Sequence, residues 1–209
     1  MTLRPLPVLR ELQKSELDGA AQLLGRGMCD NPVNVRAFGI ENRERRVRAM
    51  SLFFFPVLEG LYRRGLVIGA FNDAKLVGVC GMARPQACQP STMEKFRVLP
   101  RVVLGNPILA PLRVLKWAGE WARRDPKEPH WHLGPVAVDS GLQGRGIGGA
   151  MLTRFCAAMD EKRELAYLET DKSENVHFYQ RFGFSVIAEG KVLGVTNWFM
   201  LRSSTAGHD

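Results

Sequence analysis

A glycine-rich run between an apolar strand and an apolar helix constrains this chain more than any other feature. A strand-like stretch ends at Val138, the sequence then reads Gln-Gly-Arg-Gly-Ile-Gly-Gly over residues 143–149, and a helical pattern follows. Glycines at alternate positions remove side chains where successive backbone N–H groups can converge on an anion. The N-terminus of the next helix adds partial positive charge. The run therefore predicts a loop that binds a diphosphate or a similar group.

Length and composition limit the class of protein in which this loop can occur. The chain has 209 residues, 45% of them hydrophobic, which is enough for one sizeable core and predicts one domain over residues 1–202 with a disordered tail at 203–209. Charged residues interrupt the first thirty positions, so we expect no signal peptide. The apolar stretches 50–58 and 102–114 fall short of the roughly 20 residues that a bilayer requires. We expect a cytoplasmic chain with no membrane partner.

The charge and the cysteines exclude further classes. The net charge is +8, but the densest basic run, residues 43–48, is typical of a solvated helix face, and no basic strand interleaved with aromatic residues accompanies it. We expect no nucleic-acid partner. The four cysteines form no CxxC pair, and no histidine lies at metal spacing from them in the sequence, which favours reduced thiols with no disulfide and no metal.

Hydrophobic periodicity predicts alternating strands and helices with one irregular insertion. The N-terminal half should contain a strand at 8–12, a helix at 15–28, a loop at 29–34, a helix at 42–64 that Pro56 kinks or divides, and a hairpin at 66–71 and 76–82. A proline-rich insertion at 85–126 should carry one helix at 112–124 and act either as a binding element or as a structural cover. The second half predicts strands at 130–138, 165–170, 184–187 and 195–201, with helices at 149–161 and 174–182.

Two cofactors fit the glycine run. Residues 144–149 satisfy GxGxxG, and Glu169 lies 20 positions after Gly149, where a dinucleotide fold places a ribose-binding acid. However, residues 139–143 separate the strand from the first glycine, whereas a dinucleotide fold turns into its glycines directly. Too few residues also remain after residue 170 for the further βαβ repeats of that fold. An acyl-coenzyme A site is the stronger interpretation.

A resemblance to a known family supports that interpretation. Gln143, Gly146 and Gly148 match the signature Q/R-x-x-G-x-G/A of the GNAT superfamily of N-acetyltransferases. Segments 134–139 (GPVAVD), 168–170 (LET) and 175–184 (NVHFYQRFGF) occur in that family's usual order. Glu-Pro-His-Trp-x-Leu at 128–133 and the ending at 198–202 are closest in style to puromycin N-acetyltransferase-like enzymes. The strong resemblance covers residues 128–202.

The resemblance implies a fold and a cofactor. The fold would be α/β (α+β): a mixed, mostly antiparallel sheet of about seven strands, flanked by helices, with a V-shaped splay between the fourth and fifth strands. The cofactor would be acetyl-CoA, with its diphosphate on the loop amides and its pantetheine arm along the fourth strand. Arg145 adds charge or faces solvent, and Asn175 contacts pantetheine or makes local hydrogen bonds. The implied cofactor-binding residues are Val136, Ala137, Val138, Gln143, Gly144, Arg145, Gly146, Ile147, Gly148, Gly149, Asn175 and Tyr179.

The resemblance also suggests catalytic residues for acetyl transfer, which requires a neutral amine, oxyanion stabilisation and a proton for the leaving thiolate. Tyr179 occupies the family's usual general-acid position, and an aromatic packing role is its open alternative. A backbone N–H near Val136 or Ala137 would stabilise the oxyanion. Glu169 is the first candidate for the general base, although a structural salt bridge is an open alternative; His132, His177 and water are the other candidates.

The acceptor is expected to be a primary amine of a small molecule, acetylated by direct attack in a ternary complex. Its site should lie between the N-terminal helices and the closing strands, with Met28, Asn31, Phe38 and the run 53–55 as possible walls. The lack of an acidic cluster disfavours a polycationic aminoglycoside. A protein or peptide N-terminus, or a catalytically idle domain that senses acyl-CoA, remains an alternative. The chain is compatible with a monomer or a homodimer.

Overall fold

Seven strands form a mixed sheet in the computed structural model, which describes residues 7–104 and 106–204. The spatial order is β1-β2-β3-β4-β5-β7-β6, and every neighbouring pair is antiparallel except β4 and β5. This pattern confirms the predicted sheet and excludes the parallel dinucleotide-binding fold. The strands are β1 Val8–Glu11, β2 Gly65–Asn72, β3 Lys75–Ala83, β4 His130–Val138, β5 Leu165–Thr170, β6 Ser185–Val192 and β7 Val195–Arg202.

Seven α-helices in the described ranges cover both faces of this sheet. The first core contains α1, α2, α3 and α5 against strand residues such as Val79 and Ala137, and the second contains α6 and α7 against residues such as Cys80 and Leu168. Successive strand residues alternate between the two cores because the side-chain period of a strand is two. The helices are α1 Leu17–Met28, α2 Pro32–Phe38, α3 Arg43–Arg64, α4 Thr92–Val103, α5 Ala110–Ala122, α6 Ile147–Lys162 and α7 Ser173–Gln180.

Strands β4 and β5 separate soon after they meet. Their parallel pairing covers only His130↔Leu165, Trp131↔Ala166 and His132↔Tyr167. Residues 133–138 remain paired with β3 for most of their length but have no partner on the β5 side. The predicted V-shaped splay is therefore present, and it leaves backbone hydrogen-bonding groups of β4 available beside the glycine loop.

Three local predictions are corrected. The expected loop at 29–34 contains the start of α2, where Asn31 is extended, Pro32 takes the first helical position, and Gly39 ends the helix at φ 63°. The insertion contains two helices rather than one, because α4 begins at a capping box in which the Ser91 hydroxyl accepts from Glu94 N–H and includes Pro100. Of the two effects predicted for Pro56, division of the helix is wrong, because α3 runs undivided from Arg43 to Arg64; a kink stays a prediction.

The predicted tail at 203–209 lies outside the described residues from position 205 onward. Within residues 7–104 and 106–204, no helix is both long enough and apolar enough to cross a membrane.

Candidate active site

The glycine loop joins β4 to α6 beside the splay. Gly144 and Gly146 have φ angles of 74° and 81°, which favour glycine, and a Cβ built on either would have no other atom within 4 Å. Residues 143–146 are exposed, whereas Ile147, the first residue of α6, is buried. The loop thus presents open space above its backbone at the N-terminus of a 16-residue helix. This geometry fits an anionic group such as a diphosphate.

The helix side of the loop is packed closely. A Cβ on Gly148 would lie 3.5 Å from the Phe178 ring, and one on Gly149 would lie 3.7 Å from the Phe182 ring. Both distances are ordinary van der Waals contacts, so the aromatic residues around α7 line this side of α6 without excluding a Cβ there. Gly144 and Gly146 shape the open side.

The unpaired edge of β4 carries the three predicted cofactor residues of that strand. Val136 and Val138 pack against the core of α6 and α7, while Ala137 is buried on the opposite face. On that face α1 approaches closely, because a Cβ on Gly27 would come within 2.8 Å of the Ala137 Cβ. The edge is therefore held rigidly by helices on both faces.

The other predicted cofactor-binding side chains differ in their hydrogen-bond partners; they are Gln143, Arg145 and Asn175. The Gln143 amide donates to Val138 O at 3.4 Å, which ties the loop to the strand. Arg145 is exposed and makes no hydrogen bond or ion pair with the residues described. The Asn175 amide donates to the Thr170 hydroxyl at 3.1 Å, which is the local hydrogen bond considered as its alternative role.

Tyr179 lies on α7 with only 9% of its surface exposed. Its ring makes edge contacts with Phe178 and Phe184 at centroid distances of 5.3 and 5.9 Å. Within the described ranges its hydroxyl has no hydrogen-bond partner. Burial, followed by the nearby Cys80 thiol, raises the Tyr179 pKa above its usual value. The phenol therefore remains protonated at neutral pH.

Glu169 and His132 form an ion pair across the base of the splay. Glu169 Oε2 lies 2.8 Å from His132 Nε2, and the Glu169 side chain is only 2% exposed. Its other oxygen, Oε1, is buried without a hydrogen-bond partner in the structure. Two of the candidate bases are therefore one interacting pair, while the third, His177, lies exposed on α7.

A group of polar residues that the sequence analysis did not predict surrounds His132. We call this group the Cys88 cluster; its members are Cys88, Asp125, His130 and His132. It connects both ends of the insertion to β4. The ligand atoms of Cys88, His130 and His132 lie within 4.8 Å of one another. The sequence argument that no cysteine has a nearby histidine is wrong for Cys88, because the fold brings together positions 42 residues apart. The signal was the pattern His-x-His, which puts both rings on one face of a strand.

Opposite charges stabilise each other in this cluster. Burial disfavours a charged His132 ring, but Glu169 and Cys88 outweigh it and raise the His132 pKa to about 10. Burial likewise opposes a charged His130, yet hydrogen bonds with Asp125 and Cys88 raise its pKa to about 10. Burial raises the Cys88 pKa, but hydrogen bonds with the two rings lower it to about 7.

Aromatic residues line the region predicted for the acceptor. Phe38 and Phe53 have ring centroids 5.6 Å apart, and Phe53 lies 6.0 Å from Trp117 of the insertion. Trp117 contacts Trp121, whose indole N–H donates to Asn197 Oδ1 on β7 at 3.1 Å. Phe38 and Phe54 are almost fully buried, so they act as core residues. Helix α5 of the insertion thus joins α2, α3 and β7.

Comparison with known proteins agrees with this geometry. The sequence profile of the Acetyltransferase (GNAT) family matches residues 37–184. A similar solved structure is that of histone acetyltransferase HPA2 and related acetyltransferase from Corynebacterium glutamicum, with TM-score 0.72 and 21% identity over 98% of this chain and all of that chain.

Two more distant structures share the fold. The Drosophila melanogaster polyamine N-acetyltransferase has TM-score 0.59 and 15% identity, over 94% of this chain and 99% of that chain. The PaiA N-acetyltransferase of Thermoplasma acidophilum, solved with coenzyme A, has TM-score 0.57 and 13% identity, over 96% and 99%.

The splayed sheet, the glycine loop at its opening and the profile match define one class of protein. The chain belongs to the GNAT family of acetyltransferases, and so to the acyltransferases.

Proposed function

We propose that this protein transfers an acetyl group from acetyl-CoA to a primary amine of a small molecule, by direct attack in a ternary complex. The observation that carries the proposal is the opening between β4 and β5 beside the glycine loop. An opening through the sheet lets one elongated ligand contact the anion loop at one end and the ion pair of Glu169 and His132 near the other. The Drosophila melanogaster polyamine N-acetyltransferase, which forms N-acetylagmatine, is consistent with it.

Cofactor binding would use backbone more than side chains. The N–H groups of residues 144–149 would hold the diphosphate, with the dipole of α6 adding to the attraction. The free edge of Val136–Val138 would pair with the amides of the pantetheine arm, as an added strand pairs with a sheet edge. Gln143 would hold the loop to β4, and Arg145 would supply a mobile positive charge near the phosphates. Acetyl-CoA supplies the thioester carbonyl at which the amine attacks.

Tyr179 would act as the general acid. Its raised pKa keeps the phenol protonated, and its hydroxyl has no partner among the described residues, so the proton is available for a departing thiolate. A backbone N–H near Val136 or Ala137 would stabilise negative charge on the carbonyl oxygen. Both groups lie on elements packed into the same core, which fixes their relative position.

Glu169 would accept the proton of the attacking amine. His132 holds one carboxylate oxygen in place, which leaves Oε1 free for an incoming donor. A buried oxygen without a partner is unfavourable in the free protein and becomes satisfied when an ammonium or amine N–H binds. The aromatic residues Phe53 and Trp117 on the same side of the sheet suit an amine with an apolar body.

The first test is ligand-dependent thermal stability. Acetyl-CoA or CoA at 100 times its dissociation constant should add about 2.7 kcal/mol to the unfolding free energy, whereas NAD and NADP should add none. Stabilisation by NAD alone would contradict the proposal. Turnover is then measured by thiol release across a panel of small amines, with peptide N-termini included as a separate arm.

The second test removes the proposed acid. Tyr179→Phe should reduce kcat by about tenfold or more with little change in acetyl-CoA affinity. Folding should be almost unaffected, because the missing hydroxyl makes no hydrogen bond within the described ranges. Tyr62→Phe, at an exposed tyrosine of α3, is the matched control. Binding of CoA without turnover on any amine would instead indicate an acyl-CoA sensor, and unchanged kcat in Tyr179→Phe would refute the role of this residue.

A further inference from the structure

The Cys88 cluster connects both ends of the insertion to the sheet. Cys88 lies in the segment that follows β3, Asp125 precedes β4, and His130 and His132 project from one face of β4. The His130 and Asp125 side chains are only 4% and 13% exposed. Acetyl transfer as proposed above involves neither Cys88 nor His130 nor Asp125, so the cluster requires a separate explanation.

Hydrogen bonds determine which nitrogen of each ring faces the centre of the cluster. His130 Nδ1 lies 2.8 Å from Glu128 O, and a carbonyl only accepts, so Nδ1 carries the proton. His130 Nε2 then faces Cys88 Sγ at 3.4 Å and Asp125 Oδ1 at 3.1 Å. In His132 the proton is on Nε2, which donates to Glu169. His132 Nδ1 faces Asp125 Oδ1 at 3.7 Å and is buried without a hydrogen bond.

A hydrogen bond also determines the orientation of the Asp125 carboxylate. The Gln89 amide donates to Asp125 Oδ2 at 2.9 Å, which directs Oδ1 toward the two rings. Two imidazole nitrogens, one carboxylate oxygen and one thiol therefore converge, and their electron pairs repel one another unless ring protons or a metal cation lie between them. Metal-bound histidines typically donate their second N–H to a carboxylate or a backbone carbonyl, and both rings do so here.

We propose that the Cys88 cluster binds one Zn²⁺ ion through Cys88 Sγ, Asp125 Oδ1, His130 Nε2 and His132 Nδ1. Zinc prefers four ligands of these types in tetrahedral geometry, with bonds of about 2.0–2.3 Å. Such a tetrahedron has six edges of about 3.3–3.8 Å, and three of the separations already lie near that range, at 3.1, 3.4 and 3.7 Å. The ligand atoms of Cys88, His130 and His132 lie within 4.8 Å of one another, so closing the remaining edges requires side-chain movement, including that of Asp125 toward Cys88.

Charge and proton balance are consistent with this ion. A thiolate and a carboxylate neutralise Zn²⁺, and binding releases the thiol proton and one proton from each of the two charged rings to solvent. With all four positions taken by protein ligands, the site is structural rather than catalytic. The ion would hold the two ends of the insertion against β4, and so hold α5 with Trp117 over the acceptor side of the sheet.

Metal binding is tested on the full chain without a histidine tag. The protein is stripped with a chelator under a phosphine reductant and titrated with Co²⁺ alone. One Co²⁺ per chain should bind, with tetrahedral visible absorption and a thiolate-to-cobalt charge-transfer band, and Zn²⁺ should displace it. Cys88→Ser should remove the band and weaken Zn²⁺ binding by about a hundredfold or more, and Asp125→Asn should weaken it by about tenfold.

Cys29→Ser is the matched control. The Cys29 thiol donates to Arg26 O at 3.5 Å, a bond that serine can also make, and it lies outside the cluster. This variant should keep the band and the affinity. The proposal is overturned if the wild-type protein shows no charge-transfer band, or if the band persists in Cys88→Ser. In either case, protons on the two rings rather than a metal relieve the repulsion in the cluster.

A second measurement does not depend on whether Cys88→Ser folds. Zn²⁺ bound to Cys88 of the wild-type protein should slow alkylation of this residue at least tenfold, as located by peptide mass mapping. An unchanged alkylation rate in saturating Zn²⁺ would also overturn the proposal.

Discussion

Adding one methyl group at Gly146 should weaken cofactor binding much more than it lowers the stability of the fold. Gly146 lies at φ 81°, and a Cβ there would have no other atom within 4 Å. The folding cost of Gly146→Ala is therefore only that of holding a non-glycine residue in the left-handed region, about 1–2 kcal/mol. For a chain of this size that corresponds to a melting temperature about 2–8 °C lower.

The cost to binding should be larger. The methyl group would occupy the open space in which a diphosphate would rest against the loop N–H groups. Each hydrogen bond to a charged group contributes about 1.5–3 kcal/mol, so loss of two weakens CoA binding by about a hundredfold or more. Isothermal titration calorimetry with CoA measures this directly, at a temperature where both variants are folded.

Gly194→Ala is the matched control for the same substitution. Gly194 has φ 83° in the turn between β6 and β7, also with no atom within 4 Å of a built Cβ. It should show the same loss of stability with CoA affinity within about twofold of wild type. If Gly146→Ala binds CoA with the affinity of the wild-type protein, the loop does not hold the diphosphate. If both variants bind CoA more weakly by the same factor, general destabilisation accounts for the effect.

Two predictions concern stability. Arg202 is 5% exposed and donates to both Asp160 oxygens at 2.8 and 2.7 Å and to Phe182 O at 2.7 Å. Arg202→Met should therefore lower the unfolding free energy, measured by urea denaturation, by about 3 kcal/mol, and Arg202→Lys should lower it less. A loss below about 1 kcal/mol in Arg202→Met would contradict this. Trp121→Phe leaves the fully buried Asn197 without its indole donor and should cost about 1–3 kcal/mol; an unchanged melting temperature would show that this bond contributes little. For the proposed base, Glu169→Gln should reduce kcat about tenfold or more with acetyl-CoA affinity retained, and wild-type turnover in that variant would leave water or another group as the base.

The glycine loop and the order of elements were predictable because they depend on local sequence. Hydrophobic periodicity identified β4, β5 and the two helices around the loop, and the glycine residues permit the positive φ angles found at Gly144 and Gly146. Helix α4 was missed because its prolines indicated an irregular segment. Its capping box at Ser91 and Glu94 is a local signal that outweighs Pro100 in the third turn.

Relationships between distant positions came from the tertiary structure. Sequence alone named Glu169 and His132 as separate candidate bases, and only the parallel pairing of β4 with β5 makes them one ion pair. The Cys88 cluster likewise required the fold, since its members belong to the two ends of the insertion and to a strand.

The sequence by itself determined the order of elements and the position of the glycine loop, because these follow from periodicity, glycine placement and short-range spacing. Its resemblance to the GNAT superfamily implied the sheet with its splay. Only the tertiary structure decided which polar groups share a buried site. Burial and packing bring residues together across tens of positions, and the energies of the charges that meet there depend on that proximity rather than on their order in the chain.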